Sequence, residues 1–359
     1  MIILVIVPIL LCGFGIVCEK TDRRGFFCAA AALCVFAVCG LSTLDGFNGD
    51  EGNRYSVLNM FVGDMSFSQL TTAEAPPAYM LIMKICMSYG ADFIVFPIVV
   101  ACIQSVIAAF AVYSCCETPY AGAAVLAACF LPVFFAGSSL FTAALICLAG
   151  SGFVRERRFF RLAAVILAAA CFDTSALLLI PLYLIIAIPV PLVSALWSAV
   201  AAVLAVLFPD AVTAVTEALG SGLHTSADIP AGCAVIAVIA ALLGLLIYPM
   251  YKNRGGSYEK LVNVLTCGAC MTAAAAFDGR LSGVALMLMM MSAVPLAPEA
   301  YAIGSRFTGI VFPSEKGLSG KVFLAVCTVL ITGVCAYFVY GCGFGTEAYE
   351  TSIRTVLGQ

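Results

Sequence analysis

The chain has 359 residues, 63% of them hydrophobic and 10% charged, with a formal net charge of −3. Soluble domains carry ~25% charged residues, so this chain has too little polar surface to face water. It also has no basic stripe, which removes the electrostatic footing for a nucleic-acid partner.

In chain order, apolar runs predict spans near 2–18, 25–44, 93–114, 120–136, 139–153, 174–188, 190–208, 230–251, 261–277, 281–297 and 322–341, with a shorter run at 159–172. A helix needs ~20 apolar residues to cross the hydrocarbon core, and it satisfies its own backbone groups in lipid. No period-2 alternation supports a barrel. The first run lacks a small-residue cleavage site and reads as a retained helix rather than a removed signal. The run 76–90 is short for a span and carries Lys84. It reads as a re-entrant or interfacial helix closing a first loop that covers 45–92. The expectation is therefore an all-α, polytopic integral membrane helix bundle. It has about 11–13 helices, some short or broken, in one transmembrane domain over 1–359 with no soluble domain.

Lys and Arg set the orientation. The breaks 19–24, 154–161, 252–260 and 298–321 hold 13 of the 17 basic residues and are assigned to the cytoplasm. The acidic loop 45–75, the region of Asp173, the loop 209–229 and the Asp278-Gly279-Arg280 turn then fall outside, with the N-terminus. This predicts a multi-pass protein of the cell membrane with extracytoplasmic site loops. Were 76–90 to span, 121–153 would have to form one long helix, and the same loops would still share the outer side.

The loop 45–75 is the most informative stretch. It contains Asp50-Glu51-Gly52-Asn53-Arg54-Tyr55, then Gly63-Asp64, then Glu74-Ala75-Pro76-Pro77-Ala78-Tyr79. A carboxylate of the Asp50-Glu51 pair, close to a helix end, suits a general base toward an acceptor hydroxyl or a ligand for a divalent cation. The plain alternative is a solvated acidic loop. Asp173 interrupts an apolar run. An ionisable group there costs ~2.5–3.5 kcal/mol on insertion scales, so it marks either a cavity, with its pKa raised by desolvation, or the cap of a new helix that starts at Thr174. Arg280 offers a donor fork suited to phosphate, and Arg54 reads the same way; each also reads as a member of a local charge pair. Gly137-Ser138-Ser139 suggests a helix break facing the site, a signal that small residues at helix contacts also produce. The only histidine, His224, sits among loop polar residues. The 18 cysteines lie mostly as single residues in apolar runs, where they behave as small hydrophobes. Cys267-x-x-Cys270 has no second pair, and zinc needs about four ligands.

An acidic outer loop after two helices, a short Pro-rich helix returning to the membrane and a series of short apolar helices resemble the C-type, polyprenyl-phosphate-sugar-dependent glycosyltransferase superfamily. Two branches fit. Asp50-Glu51-x-x-Arg54-Tyr55 with Gly63-Asp64 and Pro76-Pro77-x-Tyr79 is similar to the protein-mannosyltransferase and aminoarabinose-transferase loop, which implies Asp50 as catalytic base. Asp50, Tyr55 and Glu74-Ala-Pro-Pro-Ala-Tyr79, the stretch Cys171-Phe-Asp-Thr-Ser-Ala-Leu-Leu-Leu-Ile-Pro181 and Arg280 resemble the EpsG family of exopolysaccharide-assembly proteins. Chain length favours the second branch. The departures are Asp173 in place of that family's His, and Gly137-Ser138-Ser139 in place of its Arg-Gln. The resemblance implies a glycosyltransferase or polysaccharide polymerase. Asp50 and Glu51 would be catalytic. Arg54, Tyr55, Glu74, Asp173 and Arg280 would bind substrate. The partners would be a polyprenyl-linked saccharide donor, a glycan or lipid acceptor and membrane lipids. No cofactor is implied beyond a divalent cation at the acidic pair. A transporter or flippase for a lipid-linked saccharide, and a non-catalytic subunit of an assembly complex, fit the same layout. A transporter needs ionisable groups along a path through the bilayer, whereas here nearly all lie at one face.

Overall fold

The computed structural model describes residues 25, 29, 32–33, 59–66, 76–91, 95–116, 119–126, 139–186, 257–275 and 283–296. Among the described residues the regular structure is helical, with no strand. In chain order the helices are α1 Pro77–Ser88, α2 Val95–Cys115, α3 Pro119–Val125, α4 Ser139–Ala149, α5 Ser151–Arg155 and α6 Phe159–Ala170. A 3-10 segment, Thr174–Leu178, follows. The last three are α7 Leu179–Ile186, α8 Ser257–Ala275 and α9 Gly283–Leu296. The expected spans 2–18, 190–208, 230–251 and 322–341, and all but four residues of 25–44, lie outside the described residues.

Proline marks the helix starts. Pro77, Pro97, Pro119 and Pro181 each fall in a first turn, where a missing N–H removes no intrahelical bond and the fixed φ is already helical. This explains why the run 174–188 is not one helix. The α-helix restarts at Leu179 so that Pro181 stays in its first turn, and the preceding residues wind as 3-10. The run 139–153 also divides. The Gly150 amide reaches the carbonyls of Ile146 and Cys147 at 3.2 and 3.0 Å, and Phe153 N–H donates back to Gly150 at 2.9 Å, which tightens the helix locally. A β-carbon at Gly150 would stand 2.8 Å from Val165 Cγ1, so the glycine is what lets α6 approach.

Only α2 is both long and apolar enough to cross a membrane by itself among the described residues. Its two faces differ. Phe96, Val100, Gln104, Ala108, Ala111 and Cys115 are buried, while Cys102, Val106, Phe110 and Tyr113 are exposed at helical spacing. Exposed apolar residues in a stripe suit lipid contact rather than water.

The core is built by α2, α4, α6 and α9, with Phe141, Leu145 and Leu148 fully buried at its centre. Helices α2 and α4 run parallel. Gln104 meets Thr142, and Cys115 Sγ meets the Leu148 carbonyl at 3.2 Å. Helix α6 runs against α4, and the chain after Thr174 turns back along α6 until Tyr183 meets Phe159, ring centroids 5.4 Å apart. Helix α8 packs on α5 and α7 at its start. At Gly268 it comes so close to α9 that a β-carbon would stand 2.9 Å from the Met289 nitrogen. Small residues permit such backbone approach in lipid. Helix α8 begins at Ser257 rather than near 261, which places Lys260 inside the fold at 1% exposure.

The two ends of α6 thus define two ends of the bundle, ~18 Å apart along a 12-residue helix. One end holds Arg155, Glu156, Arg157, Arg158 and Lys260. The other holds the starts of α1 and α4, the Asp173 turn and the start of α9.

Candidate functional site

The second end is assembled from chain segments far apart in sequence. Ala78 N–H, at the start of α1, donates to the Cys171 carbonyl at 3.0 Å. The Tyr79 ring stands edge-on to Phe96 and to Phe172, both with centroids 5.7 Å away. The Tyr79 hydroxyl lies 2.9 Å from Thr142 Oγ1, which also accepts from Gln104 Nε2 at 3.0 Å. Tyr79, Thr142 and Gln104 are all 0% exposed. This chain of side chains joins α1, α4 and α2, and the low dielectric around it strengthens each bond. Sequence reasoning missed Thr142 and Gln104. The available signal was Gln104 itself, an amide midway along an otherwise apolar 21-residue helix, where a buried polar group needs a partner.

Part of the acidic loop is pinned to this end. Residues 59–62 form a helical turn. Val62 is fully buried against Tyr79, Met80 and Met83. Lys84 Nζ, on α1, donates to the carbonyls of Met65 and, at 3.3 Å, Gly63. Asp64 is exposed beside them.

Asp173 is partly buried in the turn between α6 and the 3-10 segment. Its Oδ1 accepts from the Ser175 amide at 2.9 Å and from the Ser175 hydroxyl. The capping role expected for it is therefore filled. Burial pushes its carboxyl above the usual carboxylate range, and the two Ser175 bonds oppose that shift. A β-carbon at Gly283, the first residue of α9, would stand 2.9 Å from Ser175 Oγ and 3.1 Å from Leu140 Cδ1. The Asp173 turn, the start of α4 and the start of α9 therefore meet. Ser139, from the predicted break, opens α4 and is 5% exposed.

Of the residues selected from sequence, Asp173 is placed directly. Asp50, Glu51, Arg54, Tyr55, Glu74 and Arg280 lie outside the described residues, as do His224 and Asp278. Among the described residues no three His, Cys, Asp or Glu side chains group as a metal site. Cys267 is buried in the core, and Cys270 is partly buried on the same helix.

No curated protein and no solved structure matches the chain. The sequence does match one family, over residues 31–340, a stretch that contains every helix described above, so the chain belongs to the EpsG family, membrane proteins of exopolysaccharide assembly.

Proposed function

We propose that the protein is a glycosyltransferase or polysaccharide polymerase. It would use a polyprenyl-(di)phosphate-linked saccharide at the outer face of the cell membrane and extend a glycan or lipid acceptor. The observation that carries this reading is the meeting of three separate segments at one end of the bundle. The acidic loop ends in α1, whose start bonds to Cys171, two residues before Asp173. Gly283, three residues after Arg280, abuts Ser175. Arg280, which precedes Gly283 by three residues in the sequence, is taken as the phosphate-binding side chain of this end.

In this reading Asp50 is the general base toward the acceptor hydroxyl, and Glu51 orients it or shares a divalent cation. Arg280 and Arg54 hold the lipid (di)phosphate and stabilise the charge that develops as it leaves. Tyr55 and Glu74 contact the saccharide, and Asp173 lines the cavity while capping the 3-10 segment. The parallel run of α2 and α4 supports two further parts of the reading. It fits a multi-pass bundle. It also fits the reading of α1 as an interfacial or re-entrant helix of one transmembrane domain, in which 121–153 is not one long helix. The basic end, with four arginines in 155–161, is read as cytoplasmic. A transporter is disfavoured because the exposed ionisable groups of the described residues cluster at the two ends rather than along a path.

The test uses purified protein in nanodiscs with a polyprenyl-diphosphate oligosaccharide pool and follows product length by mass spectrometry. Wild type is expected to lengthen or transfer glycan, and Asp50→Asn to lose product at unchanged fold. Full product from Asp50→Asn would remove the base assignment. No product with any pool, together with passage of saccharide lipid across liposomes, would move the protein to the transporter class.

A further inference from the structure

The basic end carries a charged surface separate from the proposed glycan site. Among the described residues Arg157, Arg158 and Arg161 are exposed there beside Glu156, with Arg155 partly buried and Lys260 buried near Glu259. Glu156 is engaged by Arg158 Nε at 2.8 Å, with both side chains about half exposed. Arg161 is exposed, and its guanidinium is held over the Phe153 ring at 6.0 Å. A net positive, solvent-facing patch remains.

From this patch an apolar stripe runs along the outer face of α6. Phe160 is 86% exposed and Leu167 55% exposed, and Ala164 and Cys171 are exposed between and beyond them. The positions follow i, i+4, i+7 and i+11, one face of a helix. From Phe160 to Cys171 the stripe is ~16 Å long, about half of the ~30 Å hydrocarbon thickness and so about the depth of one leaflet. An arginine pair at one end of an exposed apolar stripe about one leaflet long complements an amphiphile with an anionic head and an acyl tail.

We infer that α6 holds an anionic glycerophospholipid, its phosphate headgroup on Arg158 and Arg161 and an acyl chain along the stripe from Phe160 to Cys171. Guanidinium groups suit phosphate oxygens, and an exposed aromatic such as Phe160 beside them is the residue type that membrane interfaces favour. The lipid lies at the opposite end from the proposed glycan site, and nothing in it depends on that site.

The experiment titrates the full-length protein in zwitterionic detergent with phosphatidylglycerol or phosphatidylcholine of matched chains and counts bound lipid by native mass spectrometry. Wild type is expected to retain phosphatidylglycerol selectively. Arg158→Gln and Arg161→Gln should each cut retention about fivefold, and together more than tenfold. Arg158→Lys with Arg161→Lys should keep selectivity, as should Lys84→Gln at the other end. Leu167→Gln, on the exposed stripe with both arginines intact, should also lower retention, and it carries the test if the double arginine variant fails to fold. Equal retention of the two lipids, or wild-type retention in the double Gln variant, overturns the inference. Complete displacement by inorganic phosphate overturns it too, because a lipid held along the stripe outlasts a free anion.

Discussion

The two ends of the bundle handle polar groups in opposite ways. At the Tyr79 end the buried side chains of Tyr79, Thr142, Gln104 and Ser175 bond to polar neighbours. Thr142 serves both Tyr79 and Gln104, and Asp173 serves Ser175 twice. At the Arg157 end Glu156, Arg157, Arg158 and Arg161 face outward while Lys260 is buried, and the ion pair of Arg158 with Glu156 is about half exposed. Buried networks cost much when one member is lost, whereas exposed pairs contribute little. The first end should therefore be the rigid one and the second the tolerant one.

The largest expected effect tests the close packing of the Tyr79 end. Gly283→Val drives a side chain into Ser175 and Leu140 and should destabilise by about 2–3 kcal/mol. Thermal unfolding of the detergent-purified protein checks it, and a wild-type midpoint would break the comparison. Next, Thr142→Val keeps the shape but removes one bond from each of two buried groups, and should cost about 1–2 kcal/mol; Tyr79→Phe, which keeps the ring, should cost about 1 kcal/mol. Because the two changes share a bond, the double variant should cost less than the sum of the singles. Strict additivity would mean that the network is not a unit.

At the Arg157 end the effects shrink and one changes sign. Arg157 adopts φ +57° in the turn before α6. Glycine takes that conformation freely, so Arg157→Gly should raise stability by about 0.5–1 kcal/mol in the same unfolding experiment. Glu156→Gln removes the half-exposed pair with Arg158 and should change stability by about 0.5 kcal/mol or less once solvent screening is counted.

How much of this was legible depended on range. Helix α2 was read from its apolar run to within two residues at either end, because hydrophobicity is a local signal. The alternatives for Asp173 were also local, and the cap among them is present. The broken starts were missed. The run 139–153 gives no hint that α6 presses on Gly150, and the effect of Pro181 on Leu179 was overlooked within a uniformly apolar stretch. The Tyr79–Thr142–Gln104 chain was illegible for a different reason. Its members are 63 and 38 residues apart, and only tertiary packing brings them together. The acidic pair at Asp50 and Glu51, although quoted first from the sequence, lies beyond what the described residues place.

The hydrogen bond from Ala78 to Cys171 also bears on the order of synthesis. Its acceptor is made about 90 residues after its donor, an interval of ~5–20 s at ordinary translation rates. Throughout that interval the seat of α1 is incomplete. The nascent chain therefore completes a short helix well before the turn that will receive it. Ribosome-bound chains stopped before Phe172 should leave α1 open to protease, and chains released after α6 and its turn have emerged should protect it.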